Sequence, residues 1–409
     1  MTGARARRGA NLPRIGDFNQ AVVLDALRRA RHDLSRAELS TATGLSAQSI
    51  TNIVRRLVER GLVDEREPVG SQGRGRPAAS LRLDPAGSYA VGVHVDPTVT
   101  AVVLVDLTAA VVAARRTVAA SATTPDELVT AVAAAVTEVT AGVPPDRVLG
   151  VGIATPGPVD TGAGVVVGAP LLPGWDRVAL RSLVRDATGL PVVMHKDTAA
   201  AAVGELWHDP DPADFVFLYL GTGLGAGFVV GGELLPGSTD NAGEIGHLMV
   251  APDGPPCPCG QPGCVGPSGM PRTLVAEAAA AGVLDPLPHD ATDRRVDAAF
   301  SALCARAADD PVAHSILARS AGRIARAAVT LCNALDVGAV VLGGPAWSRT
   351  EPVFLPIVRD VVTATTEARR VHEVDVRGSA LGDDAAVVGA ACLVLEHAFS
   401  ARPATLLIR

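Results

Sequence analysis

From Asn19 onward apolar residues recur at helical spacing. Val22, Val23, Ala26, Leu27 and Ala30 predict a first helix over Asn19–Arg31. Ser35-Arg36-Ala37-Glu38 is a capping box that opens a second helix running to about Thr43. Gly44 makes the turn. Ser46 caps a third helix, Ala47–Arg60, with Ile50, Ile53, Val54 and Leu57 facing inward. The pattern then changes. Gly61-Leu62-Val63-Asp64-Glu65 starts a strand, Val69–Ala79 reads as a wing, and Leu81-Arg82-Leu83 is its return strand. Helix, short glycine turn, helix and wing is the arrangement of a winged helix-turn-helix.

After Ser88 the runs are longer and more apolar. Ala90–Val95, Val99–Leu107 and Val111–Arg116 predict a meander, and Pro125–Thr140 an Ala-rich helix. Leu149–Ala154 reads as a buried strand. Phe215–Leu220 and Phe228–Val230 flank a glycine stretch as a hairpin. Ala313–Leu335 is a helix, and Ala339–Leu342 is a strand ending in Gly343-Gly344. Strands alternating with helices predict an α/β body, and 409 residues leave room for two or three domains.

Charge separates the two parts. Residues 1–83 hold 15 Arg and no Lys against 8 Asp and Glu, a net of +7, while the remainder carries a net of −14. A basic module on an acidic body implies a polyanion partner for the first module only. The third helix presents Gln48, Ser49, Asn52 and Arg55 near its start. Gln and Asn can pair bidentately with adenine, and Ser and Arg can reach bases or phosphates. An ordinary solvated helix face would look similar, but the capping box, turn and basic balance favour double-stranded DNA. Gly73-Arg74-Gly75-Arg76-Pro77 in the wing is slim enough to send Arg74 and Arg76 into a narrow A·T-rich minor groove, the alternative being a flexible basic linker.

His247 is followed by Cys257, Cys259 and Cys264. One imidazole and three thiols in so short a stretch is the ligand set of a closed, structural zinc site. Free cysteines in a Gly/Pro-rich loop would be the plain alternative. Cys304, Cys332 and Cys392 stand singly in apolar contexts, a usage that fits a reducing cytoplasm. The Arg-rich start lacks the apolar core of a signal peptide. The uncharged stretch Phe215–Gly232 is broken by six glycines, so it is a poor membrane span.

Several motifs in the body resemble the ROK family of sugar kinases and repressors. They are Gly152-Ile153-Ala154-Thr155-Pro156-Gly157-Pro158-Val159-Asp160, Asp197 through Gly204-Glu205, Gly221-Thr222-Gly223-Leu224-Gly225-Ala226-Gly227, the block of Glu244, His247 and the cysteines, and Leu381-Gly382-Asp383-Asp384 through Gly389. The resemblance covers nearly all of residues 15–397. It implies a winged helix-turn-helix over 1–83 and a two-lobed, actin-like ATPase body over 84–409. Lobe 1 would take about 88–198 and a returning C-terminal helix of about 384–398, and lobe 2 about 199–383.

The resemblance places Asp197 at the family's catalytic base, in a cleft between the lobes. Pro156 and Gly157 would form a backbone wall there, and Asp197, Glu244 and His247 would fix sugar hydroxyls. Gly221, Thr222, Gly223 and Gly225 could cradle phosphates, although a tight hairpin needs glycines too. The family's kinases carry Asp-x-Gly-Gly-Thr-Lys where this chain has His94-Val95-Asp96-Pro97-Thr98-Val99. The acid is gone, both glycines are gone, and Pro97 removes an N–H donor. Two sugar contacts also change, to Lys196 and Gly266. Phosphoryl transfer depends on positioning and on charge around the phosphates. These changes therefore argue against ATP use and leave Asp197 as a vestigial base. Lys196 has two open readings: an ion pair with Asp197 that fills a disused site, or a contact to an anionic or carbonyl group of an effector.

The combined expectation is a cytoplasmic homodimeric repressor of carbohydrate genes, with pairing into tetramers left open. It would bind an A·T-rich inverted repeat and respond to a small carbohydrate-like effector in a zinc-walled cleft. The alternative is an active sugar kinase that carries a DNA-binding domain.

Overall fold

Ser35 begins the second helix as a reciprocal cap. Its Oγ accepts from the Glu38 N–H at 3.2 Å, and Glu38 Oε2 accepts from the Ser35 N–H at 2.7 Å. In the computed structural model, which describes residues 12–30, 32–66, 79–117, 120, 123–172, 174–209 and 214–399, this helix is α2, Arg36–Thr43. Gly44 ends it with φ +69°, and Ser46 caps α3, Ala47–Glu59. The first helix, α1, spans Leu12–Arg29, so it starts ahead of the predicted Asn19. Pro13 lies in its first turn, where a missing N–H costs no helical bond, so the helix can begin ahead of it. Val23, Leu39, Ile50, Val54 and Leu57 pack into one core with Leu81 of the return strand. β1, Val63–Arg66, pairs antiparallel with β2, Ser80–Leu83. Residues 67–78, which hold most of the expected wing with Arg74 and Arg76, lie outside the described residues.

The first lobe is built on a sheet of order β5-β4-β3-β6-β9. β3 (Tyr89–His94), β4 (Ala101–Asp106) and β5 (Val111–Arg116) form the antiparallel meander, with Val91 opposite Leu104. The helix α4, Pro125–Thr140, leads to β6, Val148–Thr155, which runs parallel to β3. A small hairpin follows, β7 (Val159–Asp160) and β8 (Val165–Val166). Helix α5, Leu180–Thr188, then leads to β9, Val192–Lys196, parallel to β6. Leu128, Val132 and Val136 of α4 and Leu180 and Val184 of α5 bury one face of this sheet.

Helix α6, Asp197–His208, starts directly where β9 ends. The second sheet has order β12-β11-β10-β13-β14. β10 (Phe215–Leu220) and β11 (Leu224–Val230) make the expected hairpin around the glycines, and β12, Glu233–Leu234, extends it. Four helices follow: α7 (Val265–Gly269), α8 (Pro271–Ala280), α9 (Asp293–Arg306) and α10 (Pro311–Leu335). β13, Ala339–Gly343, then pairs parallel to β10, and α11, Trp347–Thr365, leads to β14, Asp375–Gly378. Helices α10 and α11 cover the outer face of this sheet. The C-terminal helix α12, Ala385–Phe399, lies on β3 and β6, while α6 lies on β10 and β11. The two helices press together between the sheets. A Cβ at Gly389 would fall 1.9 Å from the Ala200 carbonyl oxygen, so the close approach requires glycine.

The N-terminal module is joined to this middle layer. Arg28 of α1 donates to the Trp207 carbonyl at 2.6 Å and stacks 4.7 Å from the Trp207 ring. Trp207 Nε1 donates in turn to Glu396 of α12 at 2.9 Å. A cation at the last carbonyls of α6 satisfies groups that the helix itself leaves unpaired. No helix among the described residues is long and apolar enough to cross a membrane.

Candidate functional site

The parallel strands of both sheets point their carboxyl ends into one cleft, the usual place for a ligand in an α/β sheet. β6 delivers Pro156 and Gly157, β9 delivers Lys196 and then Asp197, and the turn after β10 delivers Thr222 and Gly223. With Gly225 and Glu244 these residues line a cavity of about 570 Å³, its open mouth included. Five of the six expected effector contacts therefore meet. The sixth, His247, is not among the lining residues. Gly221 lines a neighbouring cavity with Thr222, Asp96 and Thr98. Gly225 sits in β11, where a Cβ would meet Thr198 Cγ2 at 2.6 Å, so helix-on-strand packing accounts for it. Thr198 and Tyr219 also line the cleft. Sequence reading missed both, because a Thr beside the aspartate and a Tyr inside an apolar strand carry no local signal.

Lys196 does not pair with Asp197, which corrects one of its two readings. Its Nζ lies 2.6 Å from Glu244 Oε1. Glu244 is held there by its neighbours. Gly243 adopts φ +97°, and a Cβ on it would collide with the Ala226 carbonyl, while Ile245 is buried beside it. Asp197 Oδ1 accepts from the Thr198 N–H at 2.7 Å at the start of α6. Burial pushes the Asp197 carboxyl up to about 7, against the opposing pull of Lys196 and the Thr198 N–H. The folded value lies above the ordinary 3.8. The carboxyl's favourable contribution is therefore complete below 3.8 and is lost as pH rises through about 7. Asp197→Asn removes that loss. Its denaturant midpoint relative to the parent should climb as pH rises across this window, and a constant difference would show that the carboxyl is not desolvated.

His94, at the end of β3, is sealed in and lies 3.1 Å from the Tyr219 hydroxyl. Burial holds its pKa down and pushes that of Tyr219 up. Asp96 is buried and accepts from the Thr98 N–H at 2.8 Å. It lines the neighbouring cavity with Arg349, whose guanidinium is engaged by Asp297, Ser301 and the Pro345 carbonyl.

The four metal-ligand candidates converge. One donor atom each of His247, Cys257, Cys259 and Cys264 lies within 4.8 Å of all the others. Cys257 Sγ is 3.3 Å from His247 Nδ1, and Cys259 Sγ is 3.7 Å from Cys264 Sγ. Thiolates bound tetrahedrally to zinc sit about 3.8 Å apart, given bonds of about 2.3 Å. The donor set therefore fits such an ion. The loop also carries backbone bonds of its own, from Val265 N to Leu248 O and from Gly266 N to Gly246 O, both 2.8 Å.

On α3, Gln48 and Arg55 are exposed, and Gln48 Nε2 reaches Asn52 Oδ1 at 3.5 Å. Ser49 is turned to its cap, with its Oγ 2.9 Å from Ser46 Oγ.

Comparison with known proteins agrees with this architecture. The model described as the ROK family matches residues 90–397, and that described as the MarR family matches residues 12–75. The xylose repressor of Caldicellulosiruptor bescii is 25% identical over 379 residues, covering 90% of this chain and 93% of that protein. The crystal structure of a ROK family transcriptional regulator, a homolog of the E. coli MLC protein, superposes with a TM-score of 0.75 at 23% identity. It covers 95% of this chain and 98% of its own. A ROK family glucokinase from Streptomyces griseus, crystallised with glucose and AMPPNP, gives a TM-score of 0.63 at 31% identity over 75% of this chain and 99% of its own. An actin-like ROK body behind a winged helix of MarR type makes this chain a member of the ROK family.

Proposed function

We propose that the protein is a sugar-responsive transcriptional repressor. The observation that carries the reading is the placement of α6. Its first residue, Asp197, lines the cleft, and near its end Trp207 is held by Arg28 of the DNA-binding module. A ligand that favours one lobe arrangement would move the seat of the reading helix, and it can shift that equilibrium only by its differential affinity for the two arrangements. The chain's relation to a xylose repressor along 90% of its length supports the same reading.

In this reading a homodimer presents two copies of α3 to an A·T-rich inverted repeat. Gln48, Asn52 and Arg55 read bases, with Ser49 at the helix start, and Arg74 and Arg76 enter the minor groove. A carbohydrate effector lies against Pro156, Gly157, Lys196, Asp197 and Glu244. Zinc on His247, Cys257, Cys259 and Cys264 would supply structural charge compensation for three thiolates. The chain's own part is the pinned loop, which holds Glu244 at the cleft mouth.

The cleft is poorly made for ATP. A phosphate beside Gly221 and Thr222 would face the buried Asp96 carboxyl, with no N–H from Pro97. The two arginines of that cavity, Arg272 and Arg349, are already paired with Asp293 and Asp297. One observation favours the second reading, an active sugar kinase: Asp197 stands in the cleft with its carboxyl poised at about 7.

Capture of genomic fragments by the purified protein, with and without a panel of sugars, tests the first reading. A few inverted repeats, gained or lost with one compound, are expected. Sugar-dependent ADP release that vanishes in Asp197→Asn would establish the kinase instead. On a captured repeat, Asn52→Ala should cost about 1–3 kcal/mol, roughly 5- to 150-fold in affinity, and relax the preference at one base position. A uniform loss across all sequences in a binding-selection experiment would assign Asn52 to the backbone rather than to a base.

A further inference from the structure

We propose that the cleft takes a carbohydrate bearing a carboxylate, an aldonate or a uronate, and that Lys196 selects it; this rests on the reading of the cleft as a carbohydrate site. The chain holds 36 basic residues, and Lys196 is the single lysine among them. That lysine stands in the cleft with its side chain 3% exposed. An ammonium has three N–H donors. Among the described residues its hydrogen-bond partner is Glu244 Oε1, at 2.6 Å.

The two ends of this ion pair are held very differently. Glu244 is 63% exposed, so its carboxylate can turn into water with little change in solvation. Lys196 cannot follow. Its stem lies against Gly157, where even a Cβ would come within 3.0 Å of Lys196 Cε. A ligand carboxylate in the place of Glu244 would keep the buried ammonium paired, one negative charge for another. A neutral sugar that displaced Glu244 would strand a buried charge, which is strongly unfavourable. A neutral sugar that left Glu244 in place could take only the ammonium's remaining N–H donors and would gain no charge pairing.

The rest of the lining argues for a single charge. Among the described residues no arginine lines this cavity, and the acids that line it are Asp197 and Glu244. A phosphate dianion in the place of Glu244 would bring one charge more than the single cation answers. A monoanion exchanges evenly with the one carboxylate that can leave. Asp197, with its carboxyl poised at about 7, is partly neutral near neutral pH and can donate a hydrogen bond to a ligand oxygen.

Titration calorimetry on the full chain tests this, with D-gluconate, D-xylonate and D-glucuronate set against D-glucose, D-xylose and D-glucose 6-phosphate. At least one acid should bind about 10-fold or more tightly than its neutral parent, the usual margin for a charge-assisted contact. Lys196→Gln should weaken that acid by about 10- to 100-fold and erase most of its margin over the neutral parent. Glu244→Gln should tighten it, because the internal competitor is gone. Opposite signs at the two ends of one ion pair are not expected of a purely structural pair. Unfolding midpoints establish that both variants fold. Neutral sugars bound as tightly as acids, a preference for the phosphate, or acid binding weakened alike in both variants would overturn the proposal. Neutral binding with acids refused would do so while leaving the carbohydrate reading intact. No binding of any of the six compounds would overturn both.

Discussion

Serine at both Cys257 and Cys259 is expected to abolish stoichiometric zinc and, with it, the response to effector. The parent chain should carry one zinc per protomer by elemental analysis. The argument is local. Three thiolates held as close as Cys259 and Cys264, at 3.7 Å, repel one another unless a cation lies between them. Structural zinc contributes about 10–16 kcal/mol to folding in small metal-dependent peptides. Backbone bonds also hold this loop, so the loss here should be smaller, on the order of several kcal/mol and concentrated in the segment that carries Glu244. Thermal unfolding, metal content and effector titration should therefore change together. Thiol counting offers an internal control. Burial pushes Cys304 up to about 11 and Cys332 up to about 12, and raises Cys392 as well, so these thiols stay protonated and unreactive in the folded chain. A chelator should therefore add thiol reactivity within the metal loop, at the exposed Cys259 first, and none at the buried Cys332 or Cys392. A double variant that keeps both its zinc and its effector response would sink the account of the loop.

Arg28→Ala is expected to separate the two binding activities from each other. Arg28 touches neither the cleft nor the exposed face of α3. It holds the Trp207 carbonyl and ring, and its side chain is 9% exposed. The variant loses a charged hydrogen bond worth about 1.5–3 kcal/mol and a cation–π contact worth about 0.5–2 kcal/mol. Operator affinity without effector, and effector affinity without DNA, should each stay within about threefold of the parent, because neither contact surface is touched. The factor by which effector changes operator affinity should fall to near one, since that factor is the coupling between the sites. Arg28→Lys should recover part of it. An ammonium can keep the carbonyl bond but cannot stack its plane on the indole. Operator release by effector at the parental ratio in Arg28→Ala would show that the signal travels another way. Matched titrations of labelled operator, with and without the active compound, provide the measurement.

The parts of this protein that sequence reading reached are those where the cause lies within a few residues. The capping box at Ser35 and Glu38, the turn at Gly44 and the inward row of Ile50, Ile53, Val54 and Leu57 depend on neighbours three or four positions away. The meander and the glycine hairpin follow from strand periodicity and from turns that need no distant partner. The convergence of the candidate metal ligands belongs to the same class, because His247 and the cysteines share one loop. The start of α1 escaped because Pro13 and Gly16 interrupt Leu12–Phe18 with residues that locally read as breakers, and helix continues through them regardless.

What tertiary structure decided is which distant groups meet. Asp197 follows Lys196 in the chain, yet the ammonium turns to Glu244, 48 residues away, because the loop pinned at Gly243 puts that carboxylate within reach. His247 was expected in the cleft, but its ring faces Cys257. Thr198 and Tyr219 entered the cleft because α6 lies on β10 and β11. Arg28 and Trp207, 179 residues apart, meet because α6 ends beside α1. Helix and strand are chosen by short-range sterics and hydrogen bonds, which the order of residues records directly. Partners across a cleft are chosen by how whole layers pack, and a buried charge pairs with whatever that packing places within reach.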